Sequence, residues 1–137
     1  MTYTFDSTIV SDLHKDARGF RPSVGWMEFW AEQDDAGKQV TWNILMDELQ
    51  ETMDEDRRRE EAAIASFRKQ VAEMMALGAK DEHQAKKWII QGLGADEHDL
   101  TYGGSWVCYE LGLPYAMRQL FEKACREMVQ ELHNKDN

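Results

Sequence analysis

Proline and glycine are scarce, two and nine of 137 residues, so few positions force a helix to stop. Cysteine occurs only as Cys108 and Cys125, at no spacing typical of a metal or redox pair. That excludes a disulfide-framed small domain and fits a reducing compartment. No apolar stretch approaches the roughly 20 residues of a membrane span. The opening Met1-Thr2-Tyr3-Thr4-Phe5-Asp6 lacks the basic and apolar regions of a signal peptide. The expectation is a chain neither embedded in a membrane nor exported by that route. Bases are also few, 16 Lys and Arg against 26 Asp and Glu, for a net charge of −10. A phosphate backbone is bound by clustered cations that displace counterions, so direct nucleic-acid binding is not expected.

What is present is core-forming material. The chain is 42% hydrophobic, with five Trp and five Phe, enough for one core in one helical domain spanning 1–137. The acidity is spread evenly. Residues 1–40, 41–80 and 81–137 carry 7, 9 and 10 acids against 4, 6 and 6 bases. It therefore belongs to a folded surface and not to a tail.

The periodicity is helical throughout. Ser7 or Ser11 is a candidate cap for a first helix ending at Gly19, and Ser23 for a second through about Gln33. Trp26, Phe29 and Trp30 share one face of that second helix. Asp34-Asp35-Ala36-Gly37 reads as a break. From Lys38 to about Gly78 there is no Pro and no internal Gly. Leu45, Leu49 and Met53 repeat every four residues, and Ile64, Phe67, Val71 and Met74 resume the stripe in phase, across the polar run Asp54–Glu61. That run is either an exposed stretch of one long helix or a joint between two, and the preserved phase favours one helix. Asp81 and Asp96 are placed to cap further helices, each with a following Glu suited to the first turn. Ser105 is a candidate cap for a turn stopped by Gly112, and Pro114 opens a final helix to about His133. The expected fold is all-α, a compact bundle of about five or six helices including one long helix.

No catalytic constellation stands out. The two Asp-Glu-His runs, Asp81-Glu82-His83 and Asp96-Glu97-His98, contain metal-ligand types but not the His-x-x-x-His spacing, and helix capping accounts for their acids. Neither a metal nor a cofactor is expected. Cys108 and Cys125 sit among apolar residues and read as core, not nucleophiles. Gly103-Gly104-Ser105-Trp106 lacks the second flanking glycine of a nucleophile elbow. The chain reads as a non-enzyme.

Two features suit partner binding. Arg18 and Arg21 flank a glycine turn, where their planar forks fit carboxylates of a partner or of the chain itself. The stretch from Gln39 to Asp56 contains no base but holds Asp47, Glu48, Glu51, Asp54, Glu55 and Asp56. On a helix Asp47, Glu51, Asp54 and Glu55 share a face, and Trp42 is the expected exposed aromatic anchor. A solvated helix face is the plain alternative.

Ser11-Asp12-Leu13-His14-Lys15-Asp16 followed by Gly19-Phe20-Arg21-Pro22 resembles a segment of small, uncharacterised proteins of tailed bacteriophages. Tyr109-Glu110-Leu111-Gly112-Leu113-Pro114-Tyr115 is similar to a helix-turn in the same kind of protein. The resemblance covers under a fifth of the chain and assigns no activity. It implies a phage origin and action in the cytoplasm of a bacterial host. Joined to the acidity, it makes the expected function that of an acidic inhibitor. Its partner would be a host protein with a basic surface, such as a CRISPR effector or restriction enzyme, with carboxylates standing in for phosphates. The alternatives are a homo-oligomeric structural or adaptor protein, such as a homodimer, using the long helix, and a small metal-dependent enzyme.

Overall fold

The structure, a computed structural model, describes residues 2–135; Met1, Asp136 and Asn137, counted in the charge above, lie outside them. Among the described residues the chain forms seven α-helices and one short 3-10 helix, with no strand. They are α1 (Val10–Arg18), α2 (Val24–Glu32), α3 (Asp35–Ala76), α4 (Glu82–Gly92), α5 (Glu97–Tyr102), α6 (Gly104–Leu111) and α7 (Gln119–Lys135). The 3-10 helix, Tyr115–Arg118, precedes α7. No helix among them is long and apolar enough to cross a membrane.

The all-α class is as expected, and α3 runs unbroken for 42 residues. The helix count exceeds the expected five or six. Asp96 and Asp99 form a reciprocal capping box that starts the six-residue α5, and Gly103, at φ 70° and ψ −140°, separates it from α6. Most other boundaries follow local chemistry. Gly19 ends α1 in the left-handed conformation, and the Ser23 hydroxyl accepts the Trp26 N–H at the start of α2.

Four boundaries differ from expectation. Ser105 does not cap α6, which begins at Gly104 after Gly103 with no side-chain cap. Neither Ser7 nor Ser11 caps α1: Ser7 Oγ accepts the Trp30 indole N–H, and Ser11 Oγ accepts from Arg21. The break falls at Gln33 and Asp34, and Asp35-Ala36-Gly37 already belongs to the first turn of α3, which Asp34 caps through Oδ1 accepting the Gly37 N–H at 2.8 Å. After Pro114 the chain makes the 3-10 turn before α7 begins.

The chain divides into two units, one ending at Arg57 and one beginning at Arg58. α3 supplies its first part to one and its remainder to the other. In place of one core there are two clusters. In the first unit Val10, Leu13 and Ala17 of α1 pack with Trp30 of α2 and with Trp42 and Leu45 of α3. An extended arm is strapped onto α3, where Gln39 Oε1 accepts the N–H groups of Thr4 and Phe5. In the second unit Phe67 of α3 packs with Ile89 and Ile90 of α4, Val107 and Cys108 of α6, and Phe121 of α7. There Gly104 sits so close to the 3-10 turn that an added Cβ would lie 1.9 Å from the Arg118 carbonyl oxygen.

Candidate functional site

The segment around Gly19 is built into the first unit. His14, 2% exposed, lies edge-on to the Phe20 and Trp26 rings. Its Nδ1 is 2.8 Å from the Phe20 carbonyl oxygen. A carbonyl only accepts, so Nδ1 carries the proton and donates. Arg18 donates to Glu48 through Nε at 2.7 Å and Nη2 at 3.1 Å, joining α1 to α3. The hydrogen bond from Arg18 holds the Glu48 carboxyl below its usual pKa and raises that of the guanidinium. Arg21 donates to Asp12 at 2.8 Å and to Ser11 at 3.2 Å. Both arginines therefore engage the chain's own carboxylates. Arg18, Arg21 and Glu48, expected as partner-binding residues, are engaged within the chain, where they cross-brace α1, the following turn and α3.

The expectation for Trp42 is corrected. It is 8% exposed and belongs to the core with Leu45, so it is no surface anchor. Trp42 lies on the same side of α3 as Leu45 and Leu49 and is buried against them, whereas Met53, assigned to the apolar stripe, is exposed.

The remaining acids divide into two groups. Asp54 accepts from Gln50 Nε2 at 3.0 Å and from Arg57 at 3.1 Å, and Asp56 is also engaged. Asp47, Glu51 and Glu55 are exposed. Among the described residues they have no side-chain hydrogen bond or ion pair. They lie on the side of α3 turned away from Trp42, Leu45 and Leu49. The same side carries Val40 and Ile44, 60% and 49% exposed. The spacing 40, 44, 47, 51, 55 is that of one helix face, and at 1.5 Å per residue it extends for about 22 Å. The outcome is a strip with two aliphatic side chains at one end and three unengaged carboxylates at the other. Sequence reasoning passed over Val40 and Ile44 because they are out of phase with the Leu45/Leu49 stripe. That phase difference was the available clue: two β-branched residues four apart, leading into the acids.

The other candidate groups are occupied by structure. Ligand atoms of Asp96, His98 and Asp99 lie within 4.8 Å of one another. Yet Asp96 accepts the Asp99 N–H, Asp99 accepts the Asp96 N–H, and His98 packs edge-on to Tyr102. The other run does not join them: Asp81 caps α4 and His83 bonds Glu127 on α7. Cys108 and Cys125 are buried and unpaired with each other. Burial raises both thiols, Cys125 to about 11, so neither is a ready thiolate. Compared with protein-family models, curated proteins and solved structures, the chain matches none of them.

Proposed function

We propose that this protein is a binding module, not an enzyme, and that the Val40–Glu55 strip of α3 docks on a basic surface of a partner protein. The reading rests on one observation: Asp47, Glu51 and Glu55 are exposed and unengaged on the face that also exposes Val40 and Ile44. Interfaces of this kind combine a small desolvated apolar centre with charges that steer and orient the encounter. Acids along a helix face, in a chain of net charge −10, suit a partner whose cationic groove ordinarily holds nucleic acid. The likeness of the Ser11–Pro22 segment to small phage proteins makes a bacterial nucleic-acid enzyme the natural target and inhibition the natural consequence.

The test is a pull-down from bacterial lysate with wild-type protein and the triple variant Asp47→Lys/Glu51→Lys/Glu55→Lys. Wild type is expected to retain a basic nucleic-acid-binding protein at low salt, and to lose it at high salt or on adding duplex DNA. The folded triple variant is expected to lose that protein at low salt too. Retention of the same partner by the triple variant, or indifference to salt and DNA, overturns the reading.

A further inference from the structure

The second unit contains an open groove of about 640 Å³ between α3, α4 and the chain entering α7. Its apolar lining includes Val71, Met75, Met117 and Leu120, and it is also lined by Arg68 and Lys86. The volume falls in the range of about 300–1,000 Å³ typical of small-molecule sites. Met75 and Leu120 remain exposed within it.

The charge of the lining runs against that of the chain. Acids outnumber bases by 26 to 16, yet among the described residues neither Arg68 nor Lys86 has an ion-pair or hydrogen-bond partner. By contrast Lys87, one residue on, is held by Glu127 and Glu131 at 2.8 Å each. Glu82 also lines the groove, four residues before Lys86 on α4, but forms no ion pair with it. Lys86 is half-buried and Arg68 is exposed, both on the rim of an apolar lining. An anion in the groove would give both cations a partner. Two cations are too few for a nucleic-acid backbone, and the apolar wall gives phosphates no partner.

The geometry points to a binding site for a medium-chain aliphatic carboxylate. Its chain lies against Val71, Met75, Met117 and Leu120, and its head group pairs with Arg68 and Lys86. This assignment is independent of the α3 strip, which lies in the other unit.

The probe is sodium dodecanoate below its micellar concentration, read by NMR of 13C-methyl methionine. Saturable shifts are expected for Met75 and Met117 but not for Met27, Met46 and Met53 of the first unit. Affinity should rise by about tenfold for each two carbons from octanoate to dodecanoate, following the free energy of burying methylenes. Dodecyltrimethylammonium, with the same chain and the opposite head, should bind at least tenfold more weakly to wild type. Arg68→Gln/Lys86→Gln should abolish that preference. The head-group comparison needs no variant, so it decides the matter even if the double variant is unstable. Absence of saturable shifts at Met75 and Met117, or equal affinity for the two head groups, overturns the assignment. So does concentration-dependent broadening of those two methyls without ligand, which would assign the groove to a second copy of the chain.

Discussion

Arg18 and Glu48 form a two-pronged ion pair between α1 and α3, with each side chain 35% exposed. Thr52 reinforces the same junction, its hydroxyl donating to the Ala17 carbonyl at 3.1 Å. Fork-to-carboxylate geometry places the pair at the upper end of surface ion pairs, about 0.5–1 kcal/mol. A double-mutant cycle with Arg18→Ala and Glu48→Ala should return a coupling of that size by urea denaturation. Because the folded Glu48 pKa lies below its usual value, the coupling is complete above the unfolded carboxylate pKa and fades as pH falls through the folded one. A coupling indistinguishable from zero at neutral pH would contradict the bracing role.

Glu127 is the acid most affected by its surroundings. Lys87 at 2.8 Å and His83 at 2.5 Å hold its pKa at about 2, against an ordinary 4.5. The folded pKa is depressed, so the stabilisation is complete above pH 4.5 and is lost as pH falls toward 2. A carboxyl-detected NMR titration should place Glu127 well below the other glutamates. Glu127→Gln should flatten the acid limb of the stability curve. A Glu127 midpoint near 4.5 would contradict the network.

Gly104 and Gly25 should respond in opposite directions to alanine. A Cβ at Gly104 would meet the Arg118 carbonyl oxygen at 1.9 Å, and backbone must shift to admit it. A loss of at least about 2 kcal/mol is expected, as for other overpacked sites. At Gly25, in the first turn of α2, the nearest atom is 3.9 Å away, so alanine should stabilise by up to about 0.5 kcal/mol. Thermal melts of the two variants moving in the same direction would contradict this description.

Trp42→Ala separates a core residue from a binding one. The ring is 8% exposed in the first cluster, so its removal should cost about 3–5 kcal/mol. Affinity for the partner, measured per folded molecule, should be unchanged. Full stability together with lost binding would restore Trp42 as an anchor.

These residues also mark what was legible in the sequence. Caps and stops at Gly19, Ser23, Asp81, Asp96 and Gly112 were readable because each is decided within about one turn of chain. The continuity of α3 was readable from the phase between Met53 and Ile64. The side of α3 that turns inward was readable as well: Trp42 falls in phase with Leu45 and Leu49 and is buried, while Ile44 falls out of phase and is exposed. Which elements pack on that side was not. Asp34-Asp35-Ala36-Gly37 has turn composition, yet the Asp34 side chain uses it to start a helix. The ties Arg18–Glu48, His83–Glu127 and His133–Glu97 span 30, 44 and 36 residues, a separation at which local pattern carries no information. The two cores were hidden for the same reason, since a single in-phase stripe serves both.

The Val40–Glu55 strip is proposed to bind through its unengaged acids. The most direct measurement is a titration of the captured partner with wild type and with Asp47→Lys/Glu51→Lys/Glu55→Lys, at low and high salt, alongside thermal melts. An unchanged melt is expected, with an affinity at least tenfold weaker for the variant at low salt and convergence of the two proteins at high salt. Equal low-salt affinity of the intact variant and wild type would contradict it.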